Sequence, residues 1–418
     1  MLLAIEAPTL TRFTLQLFVI LLTARLLGEI AKRLGFAPVV GELLTGILLG
    51  PSFLSWAAPN VFATLFPDGV GGALALDAVG QLGLLFLLVL AGLETDIDLI
   101  RQRASVAIAI AAGSILVPFA SGFALGWLIP AAYLVDPGQR LLFALFLATA
   151  LSISAVPVIA RVLIDLDIVH RDPTQVLLAA ALINDVIGWV LLSVVAGIAQ
   201  RGSVDLPATA VTVGVLVGFF VVMFTVGQRA IDAVYQHTQR GPPIGHLSTL
   251  ILLSLGVAAL AEELGIEAFL GAFVVGVLVR RTDLLAREVR QNFESLTLAV
   301  LAPVFFATAG LKADLTTLAD PLVTALAVVT VLVAVGGKFI GTAAGASLVG
   351  RRGREVIGMG AGLNARGALE LVVASVGLSL GVLTEAMYGV IVLVAILTTV
   401  VAVPILRWAF TGLEMAET

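Results

Sequence analysis

Asp185 is an acid in an expensive place. It lies midway along the apolar run LLAAALINDVIGWVLLSV (177–194), with no other charge within a dozen residues on either side. An ionised carboxylate at the centre of a bilayer costs about 2.5–3.5 kcal/mol on insertion scales, so an acid kept there implies use as a proton or cation site. Asn184 precedes it, and Ala181 and Gly188, about one turn away, let another backbone come close. Upstream, Leu151-Ser152-Ile153-Ser154-Ala155-Val156-Pro157 carries two hydroxyls and a proline. Pro157 has no N–H and crowds the carbonyl four residues earlier, so the helix should break near Ile153. The carbonyls so released need partners in lipid, and a hydrated cavity with a cation would supply them. Downstream, Gly360-Ala361-Gly362-Leu363-Asn364-Ala365-Arg366-Gly367 puts three glycines, an Asn and an Arg at the middle of another apolar run. The candidate cation- and proton-binding set is Asp185, Asn184, Ser152, Ser154 and Asn364, with Pro157 supporting the break.

Two buried cations need partners. Arg366 precedes Glu370 by four residues, the helical spacing of an ion pair. Lys338, in AVGGKFIGTA, has no acid in its own helix. It neutralises a half-helix end, pairs with Asp185, or carries a proton itself; the structural role is favoured. The other acids are less central. Glu42 lies about one turn into its run, at a vestibule or domain interface. Glu94, Glu262 and Glu263 are expected near the outer face, as rim charges or a cation funnel.

Several chemistries are absent from the pattern. Cys is missing, and His170, His237 and His246 do not pair at helical spacing, which argues against haem or zinc. No HExxH, phosphate-binding loop or dinucleotide fingerprint occurs, so no cofactor and no pump activity are expected. No nucleophile–base or paired catalytic acid pattern suggests an enzyme. With 23 basic against 28 acidic residues there is no cationic footprint for nucleic acid.

The elements that hold these residues follow from composition. The 418 residues are 60% hydrophobic and 12% charged, about half the charged share of a soluble domain, and the mean hydropathy is +1.12. This is an all-α polytopic membrane protein. A span needs about 20 apolar residues, and thirteen are predicted, at 10–34, 38–54, 77–98, 104–131, 138–164, 173–200, 207–236, 244–264, 266–281, 295–312, 321–349, 354–381 and 384–411. Basic residues test the count. Sixteen, from Lys32 and Arg33 to Arg407, fall on one side, against four (Arg12, Arg140, Arg201 and Lys312) on the other. The positive-inside rule then puts the N-terminus outside and the C-terminus in the cytoplasm of a cell whose plasma membrane the chain spans. The first run reads as a retained helix, since no cleavage pattern is visible. Loops are short and the chain ends just past the last span, so function is expected within the bilayer. Asp283–Asn292 reads as a short charged connector helix at the cytoplasmic face.

The halves resemble each other. Ala91-Gly92-Leu93-Glu94-Thr95-Asp96 ends span 3, and Ala309-Gly310-Leu311-Lys312-Ala313-Asp314 ends span 10. Gly41 and Gly46 of span 2 recur as Gly271 and Gly276 of span 9. Both matches are seven spans apart, and an odd offset inverts the copy. That is an inverted-topology repeat, spans 1–6 against 8–13, with two discontinuous helices at corresponding positions crossing at a transporter's binding site.

PVVGELLTGILLGPS (38–52), AGLETDIDL (91–99), SISAVPVIARVL (152–163), INDVIGWVLL (183–192), AFLGAFVVGVLV (268–279) and GLNARGALELVVA (362–374) together resemble the monovalent cation:proton antiporter-2 family, over nearly the whole chain and in order. The resemblance implies sodium/proton or potassium/proton exchange by a homodimer with a sodium/proton antiporter-like fold. It implies a dimerisation part (1–103 and 244–317), a core transport part (104–200 and 318–412) and a linker helix (207–236). Asp185 matches the family's ion-binding aspartate. Asn184 stands where electrogenic relatives have a second aspartate, and an Asn-Asp pair goes with electroneutral exchange. Lys338 matches the lysine that pairs with that missing aspartate, so the pattern is mixed. Many relatives also carry a cytoplasmic nucleotide-binding domain, and none is seen here. The expected mechanism is alternating access, with proton and cation competing for Asp185. The alternatives are a Na⁺-coupled symporter of a small organic anion, for which Arg366 is the only cationic candidate, and a cation channel.

Overall fold

The computed structural model describes residues 7–411 except 35, 37, 68–69, 96, 202–205, 239–242, 283–284, 312–314 and 317–319. Asp96, Arg240, Asp283, Lys312, Ala313 and Asp314, used above for topology, repeat and connector, lie outside the described residues. The chain is helical throughout: α1 (Ala7–Arg33), α2 (Pro38–Leu49), α3 (Val70–Glu94), α4 (Ala104–Leu128), α5 (Arg140–Ser152), α6 (Val156–Asp165), α7 (Asp172–Arg201), α8 (Leu206–Val222), α9 (Gln228–Thr238), α10 (Pro243–Glu263), α11 (Ala268–Thr282), α12 (Arg287–Leu296), α13 (Ala302–Leu311), α14 (Pro321–Leu348), α15 (Arg354–Leu363), α16 (Ala368–Ser379) and α17 (Glu385–Thr411). One turn of π-helix, Met223–Gly227, joins α8 to α9, and another, Thr297–Leu301, joins α12 to α13.

Eleven helical segments among the described residues are long and apolar enough to cross a membrane. The two other predicted spans take different forms. The ninth is α11, a helix of 15 residues. The twelfth is broken into α15 and α16 around Asn364–Gly367. The fifth span is broken too: α5 ends at Ser152, Ile153 turns extended, and α6 starts at Val156 with Pro157 in its first turn, where the missing N–H costs nothing.

The predicted connector is helical where it is described, and it does not stand alone: Arg287–Asn292 is the first part of α12, which continues through the π turn into α13. RQNFESL offers no glycine or proline to stop it, and α3 gives it partners. Arg290 pairs with Glu94, and the Phe86 and Phe293 rings lie 5.0 Å apart. Glu94 is corrected by the same contact. It is buried, not a rim charge, and it sits at the end of α3 whose Leu93 carbonyl accepts from Arg280 at 2.9 Å. Its neighbours are the basic residues assigned to the cytoplasmic side.

The chain forms two compact units: residues 1–34, 38–95 and 214–314, and residues 35–37, 96–213 and 315–418. The first unit carries the glycine repeat as matching helix contacts. In α2, a Cβ at Gly41 would meet the Leu27 backbone of α1 at 2.3 Å, and one at Gly46 would meet Ala307 O of α13 at 2.1 Å. In α11, a Cβ at Gly271 would meet Val257 O of α10 at 2.8 Å, and one at Gly276 would meet Val89 O of α3 at 2.2 Å. Each helix uses its first glycine on the helix before it and its second on the span-3 or span-10 helix of the other half. The inverted repeat is thus a repeat of backbone contacts, of the small-residue kind that packs membrane helices. In the second unit, the backbones of α4 and α14 meet the same way, Gly113 against Gly341, where a Cβ on either would lie 2.2 Å from the other's carbonyl oxygen.

Candidate functional site

The two broken helices cross in the second unit. Ala155 N–H donates to Ala365 O at 2.9 Å, and Ser154 Oγ donates to Leu363 O at 2.6 Å. Each break therefore satisfies part of the other. Four carbonyls at the C-terminus of a helix have no intrahelical donor, and in α5 all four find side chains. Thr149 O accepts from Ser152 Oγ at 2.9 Å. Ala150 O and Leu151 O each accept from Arg366 at 2.7 Å. Ser152 O accepts from Lys338 Nζ at 2.5 Å. Both buried cations thus sit on the negative end of a half-helix dipole. Arg366 also pairs with Glu370 at 3.2 Å, as the i,i+4 spacing predicts. Lys338, with no exposed surface, interacts electrostatically with Arg366, Glu370 and Asp185.

Lys338 and Arg366 occupy the carbonyls at the end of α5. The Ser154 oxygen accepts from Lys338 Nζ at 2.9 Å and from Asn184 Nδ2 at 3.1 Å while its proton goes to Leu363 O. A hydroxyl has two lone pairs, and both of those on Ser154 face protein donors. Ser152 spends its proton within its own helix.

The acid and two carboxamides are the other buried polar groups of the candidate set. Asp185 is 1% exposed and Asn184 0%, on α7 where it packs against α4 and the first break. Asn184 Nδ2 gives both its hydrogens away, to Ser154 and to Ser114 Oγ at 3.0 Å. Its Oδ1 is buried without a hydrogen-bond donor among the described residues, and so are both amide atoms of Asn364. Orphaned buried oxygens of this kind need an explanation, and an alkali cation is an oxygen-seeking one.

Two site residues escape sequence reading. Ser114 on α4 holds the Asn184 amide. Thr399 on α17 brackets the second break, its Oγ1 accepting from Arg366 N at 2.9 Å and donating to Arg366 O at 2.8 Å. A signal existed for the first: Pro118 stands inside α4, four residues after Ser114, and cannot donate to its carbonyl. For Thr399 the sequence offers only a Thr-Thr pair in a long apolar helix. Glu42, buried in α2, belongs to the first unit.

An inverted helical repeat with crossed broken helices around a buried acid is the architecture of a secondary transporter. Over residues 18–412 the chain matches, and belongs to, the transmembrane sodium/hydrogen exchanger family. It is 31% identical to the Na(+)/H(+) antiporter NhaS4 of Synechocystis sp., covering 96% of this chain and 97% of that one. It is 28% identical to the Na(+)/H(+)-K(+) antiporter GerN of Bacillus cereus, covering 97% and 98%. With Cation/H(+) antiporter 19 of Arabidopsis thaliana the identity is 32% over 94% of this chain, which spans about half (48%) of that relative's length. The solved structure of the sodium proton antiporter MjNhaP1 from Methanocaldococcus jannaschii superposes with a TM-score of 0.63 at 18% identity, over 97% of this chain and 98% of that one, and so shares the fold.

Proposed function

We propose that the protein is a secondary antiporter that exchanges Na⁺ or K⁺ for H⁺ by alternating access, with the two ligands competing for Asp185. The observation that carries this reading is the buried Asn184–Asp185 pair at the crossing, where the α5 helix end is already neutralised by Lys338 and Arg366. The ion is left with the Asp185 carboxylate and the Asn184 and Asn364 carboxamide oxygens. Facing one side, Asp185 gives up its proton and takes a dehydrated cation; facing the other, a proton displaces it. The names borne by the similar proteins support exchange of monovalent cations for protons. A symporter of an organic anion would need an available cation, and both Nη atoms of Arg366 are committed to two carbonyls and Glu370.

The same contacts support a one-for-one stoichiometry. Lys338 is committed to Ser152 O and Ser154 Oγ, so it acts as a fixed charge, one acid cycles, and exchange is one-for-one and electroneutral. Each pH unit across the membrane then drives the cation with about 1.4 kcal/mol. We further propose a homodimer in the plasma membrane, N-terminus outside. The second unit is the transport part, and the first is the dimerisation part; along α1, Phe18, Leu22, Leu26 and Ile30 form an exposed apolar stripe suited to lipid or a second copy. In proteoliposomes carrying a pH dye, Asp185→Asn should abolish Na⁺- and K⁺-dependent proton flux. Undiminished flux overturns the assignment.

A further inference from the structure

We infer that Ser114 is a positioning residue of the ion site: with Ser154 it fixes the Asn184 carboxamide so that the oxygen, not the nitrogen, is presented to the cation. The inference rests on the exchange reading above and goes further into how the site selects a cation.

The argument is one of proton counting. Ser114 Oγ lies 2.9 Å from Ala111 O, a carbonyl that can only accept, so the hydroxyl proton is spent there. Ser154 spends its proton on Leu363 O in the same way. Both hydroxyls then face Asn184 with lone pairs only. An amide oxygen turned toward them would meet two acceptors, whereas the NH₂ group meets its two partners, at 3.0 and 3.1 Å. The network therefore defines which end of the amide is which, a choice that electron count alone leaves open. Oδ1 is the end left over, buried and without a donor. A carboxamide in the other sense would present two N–H groups, which repel a cation.

Ser114 is built to hold its place. The residue before it, Gly113, sits in a close backbone contact between α4 and α14. Four residues later Pro118 denies the Ser114 carbonyl its helical partner. Ser114 itself has no exposed surface. The chain Ser114–Asn184–Ser154–Leu363 thus ties α4, α7, the first break and the end of α15 through one side-chain amide.

The test uses the full chain in liposomes with a pH dye, titrated with NaCl and separately with KCl. Ser114→Ala removes one acceptor and lets the amide turn. The half-saturating cation concentration should rise about tenfold, the scale of one net hydrogen bond, while the maximal rate at saturating cation is kept. Ser114→Thr, which keeps the hydroxyl, should restore it. Ser114→Cys, of similar size but a poor acceptor, should behave as Ala and covers the case in which Ala packs badly. As a readout without transport, the Na⁺ concentration that raises the Tm of the detergent-solubilised protein should shift in parallel. Unchanged half-saturation in both Ala and Cys variants overturns the inference, and so does equal impairment of Ala and Thr. The Asp185→Asn control separates the two levels: if it retains cation-dependent flux the exchange site itself is misassigned, and if it is silent while Ser114 variants titrate normally only the positioning role fails.

Discussion

At the scale of residues, the proposed cycle separates charges that move from charges that hold. Arg366 and Glu370 lock each other one turn apart, and Lys338 closes the end of α5. The burial of Asp185 was legible in the sequence, because the acid stands in the middle of a long apolar run. Ser114 was not, because a serine in an apolar helix ordinarily bonds to its own backbone, and Ser114 does that as well. Its second role needs α7 to arrive at the right height, which no local pattern states. The Arg366–Glu370 pair carries its own prediction. Both side chains are essentially without solvent contact. Removing one partner of a buried pair leaves the other charge uncompensated, at a cost of about 3–5 kcal/mol. Glu370→Gln should therefore lower the unfolding temperature in detergent clearly, by more than a substitution at exposed Glu29. A Tm equal to that of the parent would mean that the two carbonyls alone satisfy Arg366.

At the scale of elements, the breaks were readable and the continuities were not. Pro157 and the Gly360–Gly367 run announce interruption through missing donors and missing side chains, which are local properties. The charged stretch before span 10 reads as a separate connector helix, yet it runs on into the span, with Glu94 and Phe86 of α3 meeting it. The turn between α10 and α11 offers a prediction of a different kind. Glu262 accepts the Ala268 amide at 3.1 Å, and beside it half-buried Glu267 is raised from 4.5 to about 7, by burial first and by the Glu262 charge second. The folded protein therefore keeps a proton that the unfolded chain releases between about pH 4.5 and 7. Stability falls as pH rises through that window and stays lower above it. Glu267→Gln should unfold at a higher temperature than the parent at pH 8 and at the same temperature at pH 4. A difference in Tm that is the same at both pH values would show that packing, not titration, is responsible.

At the scale of the whole molecule, the inverted repeat was legible from glycine spacing, since close backbone approach demands glycine wherever it recurs. The charge balance of the transport cycle was not, because Lys338 matched one pattern and Asn184 another. The proposed one-for-one exchange turns this into a definite expectation. Asp185, Glu370, Lys338 and Arg366 sum to zero when all are ionised. Adding either one cation or one proton to Asp185 brings the cluster to the same charge, so the unit crosses the field with equal charge in both directions. No net charge then moves per turnover, and the potential drops out of the balance. In liposomes with an imposed tenfold Na⁺ gradient and the voltage set by valinomycin at a series of K⁺ ratios, the Na⁺-dependent proton flux should vanish at a pH difference of about one unit at every voltage. A second proton on Lys338 would change this, since each net charge is worth about 2.3 kcal/mol per 100 mV. The null point would then move with voltage, and Lys338 would have to leave Ser152 O and Ser154 Oγ in every cycle.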